Sequence, residues 1–88
     1  MTSMIIEYDL CAPGRNYDGL HKAIKAYDVW AHITESTWFI KTNEGCAQVR
    51  DKLKAHMDKN DRIFVAELTG TAAWRNVICD SEYLKENL

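Results

Sequence analysis

No stretch of this 88-residue chain approaches the roughly 20 consecutive apolar residues that a membrane-crossing helix needs, so no membrane partner is expected. The N-terminus has no basic segment leading into an apolar core, which reads as a chain without a secretion signal. Cysteine is sparse: Cys11, Cys46 and Cys79 are odd in number and widely spaced. They form neither a CxxC pair nor a disulfide framework, and reduced thiols in a cytoplasmic protein are the expectation. A basic surplus is also missing. The formal charge is −2 and the sequence pI is about 5.8, whereas neutralised phosphates supply most of a nucleic-acid binder's affinity. The local basic groups, Lys22 with Lys25 and Arg50 with Lys52 and Lys54, are interspersed with acids as on an ordinary solvated face. Gly14, Gly19, Gly45 and Gly70 are scattered, making neither a Walker loop nor a GxGxxG turn. No linker, repeat or low-complexity segment divides the chain, so residues 1–88 read as one domain. A domain this short buries a limited fraction of its surface and is often helped by a partner.

What is present is a regular alternation of patterns. Met4-Ile5-Ile6-Glu7-Tyr8-Asp9-Leu10 reads as a strand, and Pro13-Gly14 marks a turn after it. Asn16 stands as an N-cap before Leu20, Ala23, Ile24 and Tyr27, which fall on one helical face. Val29–Ile33 and Thr37–Lys41 are rich in aromatic and β-branched residues and flank Thr34-Glu35-Ser36, a hairpin pattern. Thr42-Asn43-Glu44 opens a second helix, with Cys46, Val49, Leu53 and Met57 at helical spacing. Asp58–Asp61 is a polar turn, Arg62–Leu68 a strand, and Thr69-Gly70-Thr71 ends it. Trp74–Cys79 reads as a short fifth strand, and Asp80-Ser81-Glu82 as the start of a last helical turn. The expected fold is α+β, a ferredoxin-like βαββαβ sandwich with a short C-terminal strand or helix. Its helices cover one face of an antiparallel sheet and the other face stays open.

The acids of the first strand stand out against this plan. Strand side chains alternate, so Glu7 and Asp9 share a face, expected to be the open one. Two acids there point to a solvated face, a dimer seam or a metal site, because burying them unpartnered is costly. The same alternation in the last strand sets Ile63, Val65 and Glu67 on one side, and Glu67 is expected near Glu7. Like charges side by side destabilise a sheet unless a cation, an arginine or water offsets them.

Tyr8-Asp9-Leu10 at the end of strand one, the βαββαβ order and the short length resemble the small CRISPR-associated subunit that partners the integrase in spacer acquisition. They also resemble its relatives in the virulence-associated protein D group. The chain looks more like the short bacterial and phage proteins labelled SinR-like. Their ordered pattern reappears at Tyr8-Asp9-Leu10, Asn16-Tyr17, Ser36-Thr37-Trp38 and Asn60-Asp61, spread over most of residues 4 to 74. The resemblance implies a homodimer of two ferredoxin-like protomers, sheet against sheet, with each C-terminal strand extending the partner's sheet. It implies that Asp9 faces its mate across the seam, where members with nuclease activity are proposed to hold a divalent metal. The virulence-associated relatives add a toxin–antitoxin role as a third option. Two departures stand beside it. The basic DNA-holding surface is not evident, and the Gln-x-Ser-Val-Phe segment of the CRISPR subunit is replaced by His32–Trp38.

Each candidate residue has two readings. Asp9 can supply carboxylate oxygen to magnesium or manganese for phosphodiester cleavage, or cap the loop that follows it. Arg15, beyond Pro13-Gly14, can bind phosphate or pair with Asp9. Trp38 and Trp74, with Trp30, can stack on bases or form core and seam, and a two-protomer pocket with tryptophan walls would hold a nucleotide-like ligand. His32 beside Ser36 and Thr37 lacks any triad spacing, and His21 and His56 lack metal-ligand spacing. The leading expectation is a nuclease-related or nucleic-acid-associated homodimer, in one form a divalent-metal endoribonuclease acting on RNA. The alternative is a non-catalytic dimer that binds a protein partner or a small nucleotide ligand. Asp9 favours the first and the acidic pI favours the second.

Overall fold

The computed structural model describes residues 1–12 and 16–88. Among these residues seven elements follow in order: β1 (Thr2–Asp9), α1 (Asp18–Lys25), β2 (Val29–Thr34), β3 (Thr37–Thr42), α2 (Cys46–Lys54), β4 (Arg62–Glu67) and α3 (Ser81–Asn87). The strands form one sheet in the order β2-β3-β1-β4, with every neighbouring pair antiparallel. This is the βαββαβ strand order of the ferredoxin-like plan, with a C-terminal helix added. Pro13, Gly14 and Arg15 lie outside the described residues, and with them the expected turn and the candidate phosphate ligand.

Alternation divides the sheet cleanly. Met4, Ile6 and Tyr8 of β1, with Trp38 and Ile40 of β3, meet Leu20 and Ile24 of α1 and Val49 and Leu53 of α2 in the main core. The helices form where the apolar spacing placed them. Tyr17, not the expected Asn16, holds the N-cap position of α1, while Asn16 one residue earlier accepts from the Asp18 backbone through Oδ1 at 2.8 Å and so satisfies one orphan N–H of the first turn. The start of α2 is held by Gly45 N–H donating to Gln48 Oε1 at 2.8 Å.

The second face differs from the open face expected. Leu84 of α3 packs on Ala31 and Phe39, with Val29, Ile33, Leu68, Trp74, Cys79 and Leu88 around them. The chain beyond β4 therefore covers the β2–β3 half of the sheet. Residues Trp74–Cys79 form no fifth strand: Asn76 adopts a left-handed φ of 56°, and one backbone bond, Ile78 N–H to the Ile33 carbonyl at 2.9 Å, ties the segment to the β2 edge. Gly70, at φ 92°, turns the chain away from β4, a conformation that favours glycine. The helix expected after Asp80 is present, with Asp80 Oδ1 accepting from Glu82 N–H at 3.2 Å.

The register corrects the expected acid pair. Glu67 stands opposite Met4, on the helix-covered face, while Glu7 stands opposite Phe64. The uncovered half of the second face consists of three cross-strand pairs: Ile5–Ala66, Glu7–Phe64 and Asp9–Arg62. Glu7 is offset by a neutral donor, the Thr37 hydroxyl on β3.

Candidate functional site

Among the described residues, three places bring chemistry-bearing side chains together. The first is the end of β1. Asp9 Oδ2 lies 3.7 Å from Arg62 Nη1, and the two side chains are 67 % and 75 % exposed. An ion pair so open to water contributes at most about 1 kcal/mol, so both groups stay available to other partners. Arg62 Nη1 also donates to Cys11 Sγ at 3.8 Å, and the thiol donates to the Asp9 carbonyl at 3.9 Å. The loop itself is organised by Asp61. Its carboxylate accepts from Cys11 N–H at 2.6 Å, from the Tyr17 hydroxyl at 2.7 Å and from Asp58 N–H at 2.7 Å. Asp61 thus joins the exit of β1, the entrance to α1 and the turn before β4. The polar turn at 58–61 was visible in the sequence, but its reach to Cys11 was not.

Magnesium or manganese takes several oxygen ligands. Among the described residues no three His, Cys, Asp or Glu side chains converge as a ligand set, and the charged group beside Asp9 is a guanidinium.

The second place is an aromatic cluster on the helix-facing side of β2 and β3. Trp38 is buried, and its Nε1–H donates to the Tyr8 hydroxyl at 2.9 Å. The Tyr8 hydroxyl also hydrogen-bonds His21 Nε2, 3.3 Å away. His32 stacks on Trp38 with ring centroids 3.9 Å apart and planes 8° apart, and its Nε2–H donates to the Glu35 carbonyl at 3.1 Å. Trp30 lies 5.8 Å from Trp38, and Lys25 Nζ sits 5.5 Å from the Trp30 ring and 5.9 Å from that of Trp38. Beside this cluster, along the β2 edge, runs a cleft of about 380 Å³ whose far wall is the C-terminal segment.

The third place is a cavity of about 500 Å³ near the end of α1, lined in part by α2. Here three of the polar groups engage one another. The Tyr27 hydroxyl donates to Glu44 Oε1 at 2.8 Å, and Lys52 both bonds Glu44 and sits 5.6 Å from the Tyr27 ring. Asp28, Lys41 and His56 also line the cavity, while Tyr27, Glu44 and Lys52 are thus engaged with one another.

That trio has a consequence for alkaline stability. Burial first, and then the bond to Glu44, push the Tyr27 phenol well above its usual 10, and burial also raises Tyr8. In the unfolded chain both would ionise near pH 10. Their contribution to stability is complete below that pH and is lost as pH rises toward the folded values. Urea melts at pH 8 and pH 11 are expected to show a smaller alkaline loss for Tyr27→Phe than for wild type; equal losses would contradict the assignment. Glu44 has the opposite sign. Lys52 and then Tyr27 hold its carboxyl below the usual value, so its share is present above the ordinary carboxylate range and lost as pH falls through the folded value.

Among the described residues, the candidate site residues Asp9, Trp38 and Trp74 lie in different parts of one chain. Asp9 is at the end of β1 on the uncovered half-face. Trp38 lies in the core on the opposite face. Trp74 packs beside Phe39 and Leu84 in its own chain, its Nε1–H donating to Ser81 Oγ at 2.8 Å. Arg15 falls outside the described residues. Lys25 and Tyr83, which line the β2 cleft, were not among the candidate site residues; a helix lysine and a tail tyrosine carry no motif.

Among the described residues no helix is long and apolar enough to cross a membrane. Compared with protein-family models, curated proteins and solved structures, the chain matches none.

Proposed function

We propose that this chain acts as a nucleic-acid-associated homodimer whose protomers meet through the uncovered half of the sheet. The observation that carries the seam is the run Ile5–Ala66, Glu7–Phe64, Asp9–Arg62, with Phe64 64 % exposed. Leaving an aromatic ring in water forgoes the gain from burying it. The face also carries both signs of charge. Across a two-fold axis, a patch meets its own copy, so Arg62 of each protomer can pair with Asp9 of the other. Asp9 then serves the seam.

The nucleic-acid part of this reading rests on the likeness of Tyr8-Asp9-Leu10 and the later motifs to the SinR-like and CRISPR-associated groups. It is tested by titrating RNA and DNA into the protein at rising salt. Binding that weakens steeply with salt is expected, because phosphate contacts release counterions. No binding even at low salt would favour the non-catalytic dimer that takes a protein partner or a small nucleotide. The same RNA incubated with magnesium or manganese tests the endoribonuclease form. Metal-stimulated cleavage lost in Asp9→Asn would make Asp9 catalytic; its absence would leave a binding protein.

A further inference from the structure

We infer that the cleft along the β2 edge is a binding site for one nucleotide unit, a planar base carrying a phosphate. This goes beyond the seam reading and stands apart from it, since β2 and β4 are opposite edges of the sheet. The cleft holds about 380 Å³, within the range of small-ligand sites. Trp30, His32 and Tyr83 line it, with the buried Trp38 behind His32, so several rings contribute to its wall. Trp38 is held by its bond to Tyr8 and covered by the stacked imidazole of His32. The platform is therefore built in advance, with its side chains already ordered before a ligand arrives.

Lys25 supplies the charge. It is exposed at the last turn of α1, and no ion pair among the described residues engages it. Its ammonium rests over the tryptophan rings, on a flexible stem that can swing to a phosphate when a base takes the ring face. The ring walls are sequence-tolerant, because every base offers a π-face. Backbone groups on an edge strand can meet the polar rim of a base. The polar partner on the tail side, Asp80, is committed to capping α3.

The same chemistry is offered by a free nucleoside monophosphate and by one nucleotide of a single strand, and calorimetry separates them. The full chain is titrated with AMP, UMP, adenosine and a five-nucleotide oligoadenylate. AMP is expected to bind more tightly than UMP, whose ring stacks over less area, and more tightly than adenosine, which lacks the phosphate. Lys25→Gln is expected to bring AMP down to the affinity of adenosine. Trp30→Leu is expected to weaken both by roughly 5- to 150-fold, the stacking worth of one base on one ring. Oligoadenylate binding more tightly than AMP would identify a strand as the occupant, and AMP binding without the oligomer a free nucleotide. Heat from none of the four at millimolar concentration would overturn the assignment, as would an unchanged AMP affinity in Lys25→Gln. The lysine variant, at an exposed position, keeps the test decisive even where Trp30→Leu fails to fold. The dimer measurement does not depend on either residue.

Discussion

Trp38→Ala is expected to destabilise the protein by about 3–5 kcal/mol, the usual loss for removing a buried aromatic side chain. The ring is buried beneath α1 and α2, touches His32 and Trp30, and spends its N–H on Tyr8. Deleting it opens a cavity and also strips the Tyr8 hydroxyl of a donor. In a domain of this size each kcal/mol moves the melting temperature by about 4–8 °C, so a fall of at least about 12 °C is expected in a calorimetric scan. Tyr8→Phe separates the two contributions. It keeps the ring and removes the acceptor, leaving a buried indole N–H unsatisfied, at a cost of about 1–3 kcal/mol. A Trp38→Ala protein that melts within a few degrees of wild type would contradict the placement of this residue.

Leu84→Asp is the second large effect. Leu84 is 2 % exposed and lies on Ala31 and Phe39, with Val29, Ile33, Leu68, Trp74, Cys79 and Leu88 packed around them. Removing the leucine side chain alone costs about 2–5 kcal/mol. A carboxylate placed there cannot stay buried and charged, so α3 is expected to leave the sheet rather than hold it. The expected result is local. The segment after Leu68 becomes sensitive to protease, and amides around Ala31 and Phe39 lose protection in hydrogen exchange. The Leu20, Ile24, Val49 and Leu53 core keeps its protection. Wild-type protease resistance in Leu84→Asp would mean that the C-terminal segment does not cover the sheet.

The contrast between the two faces explains what the sequence could and could not tell. The helix-facing core was legible because each of its elements has one apolar set: Leu20 and Ile24, Val49 and Leu53, and Met4, Ile6 and Tyr8, at the spacing their structure requires. β4 was ambiguous because both of its sets are apolar, Ile63 and Val65 against Phe64 and Ala66. A choice of face is a choice of parity, and the wrong parity moves every side chain across the sheet. That is why Glu67 was expected beside Glu7 and instead lies opposite Met4. Trp74–Cys79 carried strand-like composition, but its fate turned on Asn76 in a left-handed conformation and on a docking surface made by residues forty positions earlier. Asp61 shows the same limit: a turn aspartate was readable, and its bond to Cys11 across the chain was not. The candidate site residues fared accordingly. Position along a strand placed Asp9 correctly at an exposed end, whereas the burial of Trp38 depends on which side of β3 the helices lie.

The half-face of Phe64, Asp9 and Arg62 carries the account, and its most direct test is the mass of the protein in solution. Sedimentation equilibrium of wild type and Phe64→Asp, with melting curves for both, reads it out. The expected result is wild type at twice the 10.1 kDa protomer mass, and a Phe64→Asp protein that is monomeric with the secondary structure of wild type. A wild type that stays at the protomer mass at high concentration, or a Phe64→Asp protein that remains dimeric, would contradict it.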